Sequence, residues 1–186
     1  MKHLNPDVMQ AGDVCITTDF YPMSCITRAN TWPHTPRPHL GMGLSTHAYM
    51  IADRGDKIYY ACEMRPRLRM TELARYDNPR WSVLPHIVKC LRHPALDNGP
   101  DTAQIIEKMN DFMIKMHSCG VKYGWEDIWR RIGWKGDPNP ARIICSEWCR
   151  EVFVAGEIVT PWRQDQLVIP RDWQEWTTLH DINVYK

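Results

Sequence analysis

The sequence predicts a single domain, residues 1–186, that mixes β-strands with α-helices. Two observations carry this. Residues 46–64, THAYMIADRGDKIYYACEM, hold two β-rich runs divided by Asp53-Arg54-Gly55-Asp56, the pattern of a hairpin. Farther along, residues 101–120 and 143–156 place apolar side chains at helical spacing. A length of 186 residues with 44% hydrophobic and 24% charged composition suits one compact domain and is short for two.

The elements follow in order. Residues 12–27, GDVCITTDFYPMSCIT, begin with a turn dipeptide and continue with β-branched residues, which predicts a first strand or strand pair. Pro33, Pro36, Pro38, Gly41 and Gly43 make residues 31–43 a loop, because proline removes amide donors and glycine permits positive φ. The hairpin comes next. After it, Arg65-Pro66-Arg67-Leu68-Arg69 alternates basic and apolar residues, and Pro66 restricts the run to an edge strand or an extended loop. Prolines 79, 85, 94 and 100 leave room only for short elements.

Asp101, with Gln104 three residues on, predicts a capping box at the start of the first helix. Ile105, Met109, Phe112, Met113 and Met116 recur along it until Gly120. A Gly/Pro-rich connection, residues 133–140, leads to IICSEWCREVFVAG, a second helix whose Ile144, Trp148 and Val152 share a face and which ends at Gly156. The tail carries Pro161, Pro170, Trp173 and Trp176, then INVY as a last strand.

Charge and composition narrow the function. The 23 Lys+Arg and 22 Asp+Glu leave a formal charge of +1, so no global field favours nucleic acid or an anionic membrane. Seven scattered cysteines, an odd number without a CxxC frame, point to a reducing compartment rather than a disulfide scaffold. The start, MKHLNPDVMQ, has no apolar signal core, and no long apolar run is present. A cytoplasmic protein without stable membrane insertion is expected; a phage-encoded protein released by other means would equally need no signal segment.

Cys145 stands at the predicted opening of the second helix, where backbone N–H groups and the helix dipole favour a thiolate. Such a setting, with an imidazolium nearby, lowers a thiol pKa from about 8.5 to roughly 3.5–7.5. The base is sought among eight histidines, and His47 is singled out because a strand holds an imidazole more rigidly than a loop does. Glu63, on the second hairpin strand, is the candidate to orient that ring. An odd loop centred on Gly55 would set residues 47 and 63 directly opposite; an even loop would pair His47 with Cys62 instead.

Gly12-Asp13-Val14, Ser45-Thr46-His47, Tyr60-Ala61-Cys62-Glu63 and Cys145-Ser146-Glu147, in this order, resemble the circularly permuted branch of the papain-like NlpC-type cysteine hydrolases, to which YiiX-like amidases belong. Gly120-Val121-Lys122-Tyr123-Gly124 and Thr160-Pro161 resemble two further stretches of that branch. Histidine before cysteine is the permuted order. The sequence departs from the family in carrying Ala48-Tyr49 after the histidine, and in the abundance of proline and histidine over residues 27–44.

The resemblance implies an α+β fold, an antiparallel sheet or small barrel with the nucleophile helix packed against it. It implies a cysteine hydrolase that cleaves an amide bond in a peptide or peptidoglycan-type substrate through an acyl-enzyme. Cys145 would be the nucleophile, His47 the base and Glu63 the orienting group. Tyr123 and Ser146 would stand at the oxyanion or substrate-binding positions, and no cofactor or metal is expected. An acyltransferase or thioesterase acting on an acyl-lipid is the alternative on the same fold.

Two other classes are weaker. Cys145 and Cys149, with Cys90 and His93, match no familiar zinc spacing. Arg65, Arg67, Arg69, Arg75 and Arg80, with nine tryptophans, could suggest a nucleic-acid module, but the tryptophans read more economically as core and cleft aromatics. No nucleic-acid partner is expected, and the sequence leaves the oligomeric state open.

Overall fold

The structure, a computed structural model, describes residues 4–18, 47–54, 59–64, 67–74, 86–124, 142–164, 166, 168 and 170–185. The protein is α+β. Strands β1 (Val14–Thr18), β2 (His47–Asp53), β3 (Tyr59–Met64), β4 (Leu68–Glu72), β5 (His86–Arg92) and β8 (His180–Ile182) form one open antiparallel sheet. Its order is β4-β3-β2-β1-β5-β8. A small parallel pair, β6 (Lys122–Tyr123) and β7 (Arg142–Ile143), lies beside β4 through an Arg67–Lys122 bridge. The helices are α1 (Thr102–Ser118), α2 (Cys145–Ala155) and α3 (Pro170–Glu175).

Two-residue alternation divides the sheet into two faces. Val14, Ile16, Ala48, Met50, Ala52, Cys62 and Met64 pack with the helices, against Met109, Met113, Trp148, Val152 and Trp173. Cys15, Tyr49, Ile51, Ala61 and Cys90 line the other face, with Met9, Leu73 and Val184. Full burial of residues such as Trp148 and Met50 stabilises the layer by about 1.5–3 kcal/mol per large side chain. At the entrance to β1, Gly12 has φ +94, and a side chain there would approach Leu96 Cδ1 at 2.9 Å. Its N–H donates to Ile51 O at 2.9 Å, so the tight approach of chain and sheet depends on glycine.

The predicted hairpin forms, but in a register neither alternative anticipated. Met50 pairs with Cys62 and Asp53 with Tyr59, which leaves five residues between the strands and shifts the centre by one residue from Gly55. Both numbers of every pair then sum to an even total, so residues 47 and 63 still share a face, as diagonal rather than direct neighbours. Leu68–Glu72 is an edge strand, one of the two forms to which Pro66 restricted residues 65–69, and Leu68 and Arg69 of that run belong to it.

Other differences have local causes. The proline-punctuated stretch was expected to hold only short elements, yet His86–Arg92 is a seven-residue strand between β1 and β8. Its prolines lie outside the strand, where they cost no ladder hydrogen bond. Asp101 precedes α1 but makes no side-chain cap bond; instead Thr102 Oγ1 donates to Ala95 O at 3.1 Å. The last strand stops at Ile182 rather than spanning INVY, and Tyr185 returns as an isolated bridge to Leu4. The expected loops at residues 31–43 and 133–140 lie outside the described residues.

Candidate active site

His47 is the first residue of β2 and pairs with Thr17 of β1. Its Nε2 lies 3.3 Å from Glu63 Oε2, with the two residues only 5% and 6% exposed. The diagonal register accounts for this: Glu63 belongs to the neighbouring strand on the same face, within reach of a long side chain.

Cys145 is the first residue of α2 and is buried. Ile144 occupies the N-cap in extended conformation, and its N–H donates to Glu147 Oε2 at 3.4 Å. The helix opens here because Ile143 is still in β7 and the chain then turns inward along an apolar face. Trp148, one turn on, donates its Nε1–H to Cys62 O at 3.3 Å, next to Glu63. At the other end Gly156 lies against Met109, while Asp53 at the end of β2 donates its N–H to Asn110 Oδ1 at 3.0 Å. Helix α2 and strand β2 therefore run in the same direction, both ending at one stretch of α1. Their first residues, Cys145 and His47, stand at the same end of the layer.

The two groups approach that end from different sides. Cys145 belongs to the cluster of Ala48 and Met50, whereas His47 and Glu63 follow Tyr49 and Ala61 to the opposite face by alternation.

Ser146 is fully buried, and its Oγ–H donates to Val168 O at 2.6 Å, while its carbonyl accepts from Trp173 Nε1 at 3.2 Å. The first of these bonds ties residue 168 to the helix. Its backbone N–H remains at the helix opening. Tyr123 lies on β6, paired with Ile143 two residues before Cys145. Arg150, not singled out by the sequence, is buried on α2 and donates to Arg163 O at 3.0 Å and Gln166 O at 2.7 Å. Four α2 hydrogen bonds thus hold residues 163, 166, 168 and 173. An arginine within an apolar helix face was the only signal.

Four thiols besides Cys145 are buried and one, Cys119, is exposed among the described residues. Burial holds the Cys62 and Cys149 thiols above their usual range. A hydrogen bond with Cys15, 3.8 Å away, followed by burial does the same for Cys90. Cys149 Sγ lies 3.4 Å from Cys145 O, an interaction within the helix. Among the described residues no group of three or more His, Cys, Asp or Glu side chains could hold a metal ion. No described helix is long and apolar enough to cross a membrane. No family model matches the chain, and no curated protein matches it.

Proposed function

We propose that the protein is a cysteine amidohydrolase of a permuted papain-like design, acting on a peptide or peptidoglycan-type amide. The observation that carries this reading is the buried His47–Glu63 pair standing at the same end of the layer as a cysteine on the first turn of a buried helix. The ordered motifs that resemble the NlpC-type hydrolases add to it.

In the proposed reaction His47 takes the Cys145 thiol proton, and the thiolate attacks the amide carbonyl to form a tetrahedral intermediate. The helix opening favours both negative charges, with the Cys145 backbone N–H the nearest oxyanion donor. The C–N bond breaks as the imidazolium protonates the leaving amine, leaving a thioester. Water, deprotonated by His47, then releases the acid and restores the thiol. Glu63 holds the ring and stabilises its charged form. The reaction is placed in a reducing compartment, where the thiol persists.

The test is alkylation by iodoacetamide at mildly acidic pH, read by mass spectrometry. The exposed Cys119 is the thiol for comparison. Selective labelling of Cys145 that weakens in His47→Ala is expected. Equal labelling of Cys119 and Cys145, or no effect of the histidine, removes the dyad.

A further inference from the structure

A row of cations runs beside the His47–Glu63 pair. Arg69 is the direct cross-strand partner of Glu63. Arg67 lies two residues before it, bridges to Lys122, and Lys122 pairs with Arg142 of β7, the strand that leads into Cys145. Directly paired residues project to the same side of a sheet, and alternate residues do likewise. Leu68, Met70 and Ile143 turn to the helical face. Arg67, Arg69 and Arg142 therefore share the opposite face with Glu63 and His47, and Lys122 follows its partners.

Arg67, Arg69 and Lys122 are exposed, and among the described residues none of the three forms an ion pair. Glu63, the nearest carboxylate by register, is engaged by His47. Like charges placed this close repel one another.

We infer that this row binds the carboxylates of an acidic peptide and thereby sets the substrate class of the site; the inference rests on the amidohydrolase reading. Alternate side chains of an extended peptide recur every ~6.6 Å, the same interval that separates Arg67 from Arg69 along β4. Two acidic residues at alternate positions thus meet two guanidinium forks, whose planar geometry suits carboxylates. A bilayer fits less well. Among the described residues the large exposed apolar side chains are Val8, Ile114, Val154 and Val159, and none of them belongs to β3, β4, β6 or β7.

The experiment uses the full chain carrying Cys145→Ala, with fluorescein-labelled peptides bearing either Glu or Gln at alternate positions, and binding read by anisotropy. The acidic peptide is expected to bind about tenfold or more tightly than its Gln counterpart, the gain of one charge-assisted pair. The advantage should shrink with added salt and vanish in the triple variant Arg67→Gln, Arg69→Gln, Lys122→Gln. Arg69→Glu alone should move the preference towards a lysine-bearing peptide. Equal binding of Glu and Gln peptides, an advantage that survives the triple variant, or stronger binding to phosphatidylglycerol vesicles than to the peptide overturns the inference.

Turnover by the chain with Cys145 intact separates the two readings. Hydrolysis of both peptides alike refutes the acidic preference and keeps the hydrolase. Charge-dependent binding without hydrolysis of either keeps the binding row and refutes the hydrolase.

Discussion

At the residue scale, a carboxylate 3.3 Å from an imidazole and shielded from water does two things: it fixes the ring and favours its charged form. Glu63→Gln preserves shape and removes the charge. On the proposed mechanism it should lower kcat/KM by about a hundredfold or more while the chain stays folded, measured with a fluorogenic peptide amide. An unchanged rate would assign Glu63 to structure alone. A second histidine sets a pH dependence of stability. Burial holds the His93 imidazole below its usual range, and its Nδ1 accepts the Ala95 N–H at 3.1 Å, which only the neutral ring can do. On acidification the unfolded chain takes up this proton first, near pH 6.5. The contribution is therefore complete above that pH and is lost as the pH falls towards the lower folded value. Urea midpoints between neutral and mildly acidic pH should fall more for the protein than for His93→Asn, which keeps an acceptor without a titration. Equal falls would exclude His93 as the cause.

At the scale of elements, the crossing of α1 and α2 determines where the cysteine stands. Gly156 closes α2 against Met109, and a methyl group added there would sit 2.6 Å from Met109 Cγ. Met109 is fully buried and has little room to move. Gly156→Ala should thus cost about 1–3 kcal/mol through overpacking, read by chemical denaturation. The cost should shrink in a Met109→Ala background; an undiminished cost would place the effect elsewhere. The elements themselves were readable where pattern and packing agree. Helix α2 begins and ends as its apolar spacing and Gly156 foretold, because one face of it meets the sheet along its length. Strand β5 is hard to read in the sequence because HIVKCLR lacks strict two-residue alternation and Pro85 and Pro94 flank it. The capping box at Asp101 failed because Thr102 found carbonyl partners in the preceding turn, a contact that residue spacing does not encode.

At the scale of the whole molecule, Asp13 joins the segments that enter the sheet. It is fully buried, accepts Arg92 Nε and Nη2 at 2.7 and 2.8 Å, and takes the Gln10 N–H at 2.9 Å, while Arg92 also reaches Val8 O. Burial pushes its carboxyl above the usual range, and Arg92 opposes that rise. Asp13→Ala leaves a partly buried guanidinium without its carboxylate and should destabilise the fold by about 3 kcal/mol, seen as a lower urea midpoint. A loss below about 0.5 kcal/mol, the range of ordinary surface substitutions, would show that Arg92 finds water instead.

The sequence by itself determined the mixed strand and helix content, the hairpin and the opening of α2 at Cys145. These depend on local spacing, and chain geometry converts spacing directly into faces and ends. Only the tertiary structure decided the hairpin register, the inward turn of Ser146 to Val168, the clamp at Arg150 and the alignment of Arg67, Arg69, Lys122 and Arg142 beside Glu63. Each joins segments distant along the chain, and which of many chemically suitable partners meet there is settled by packing the whole layer, not by the neighbours of any one residue.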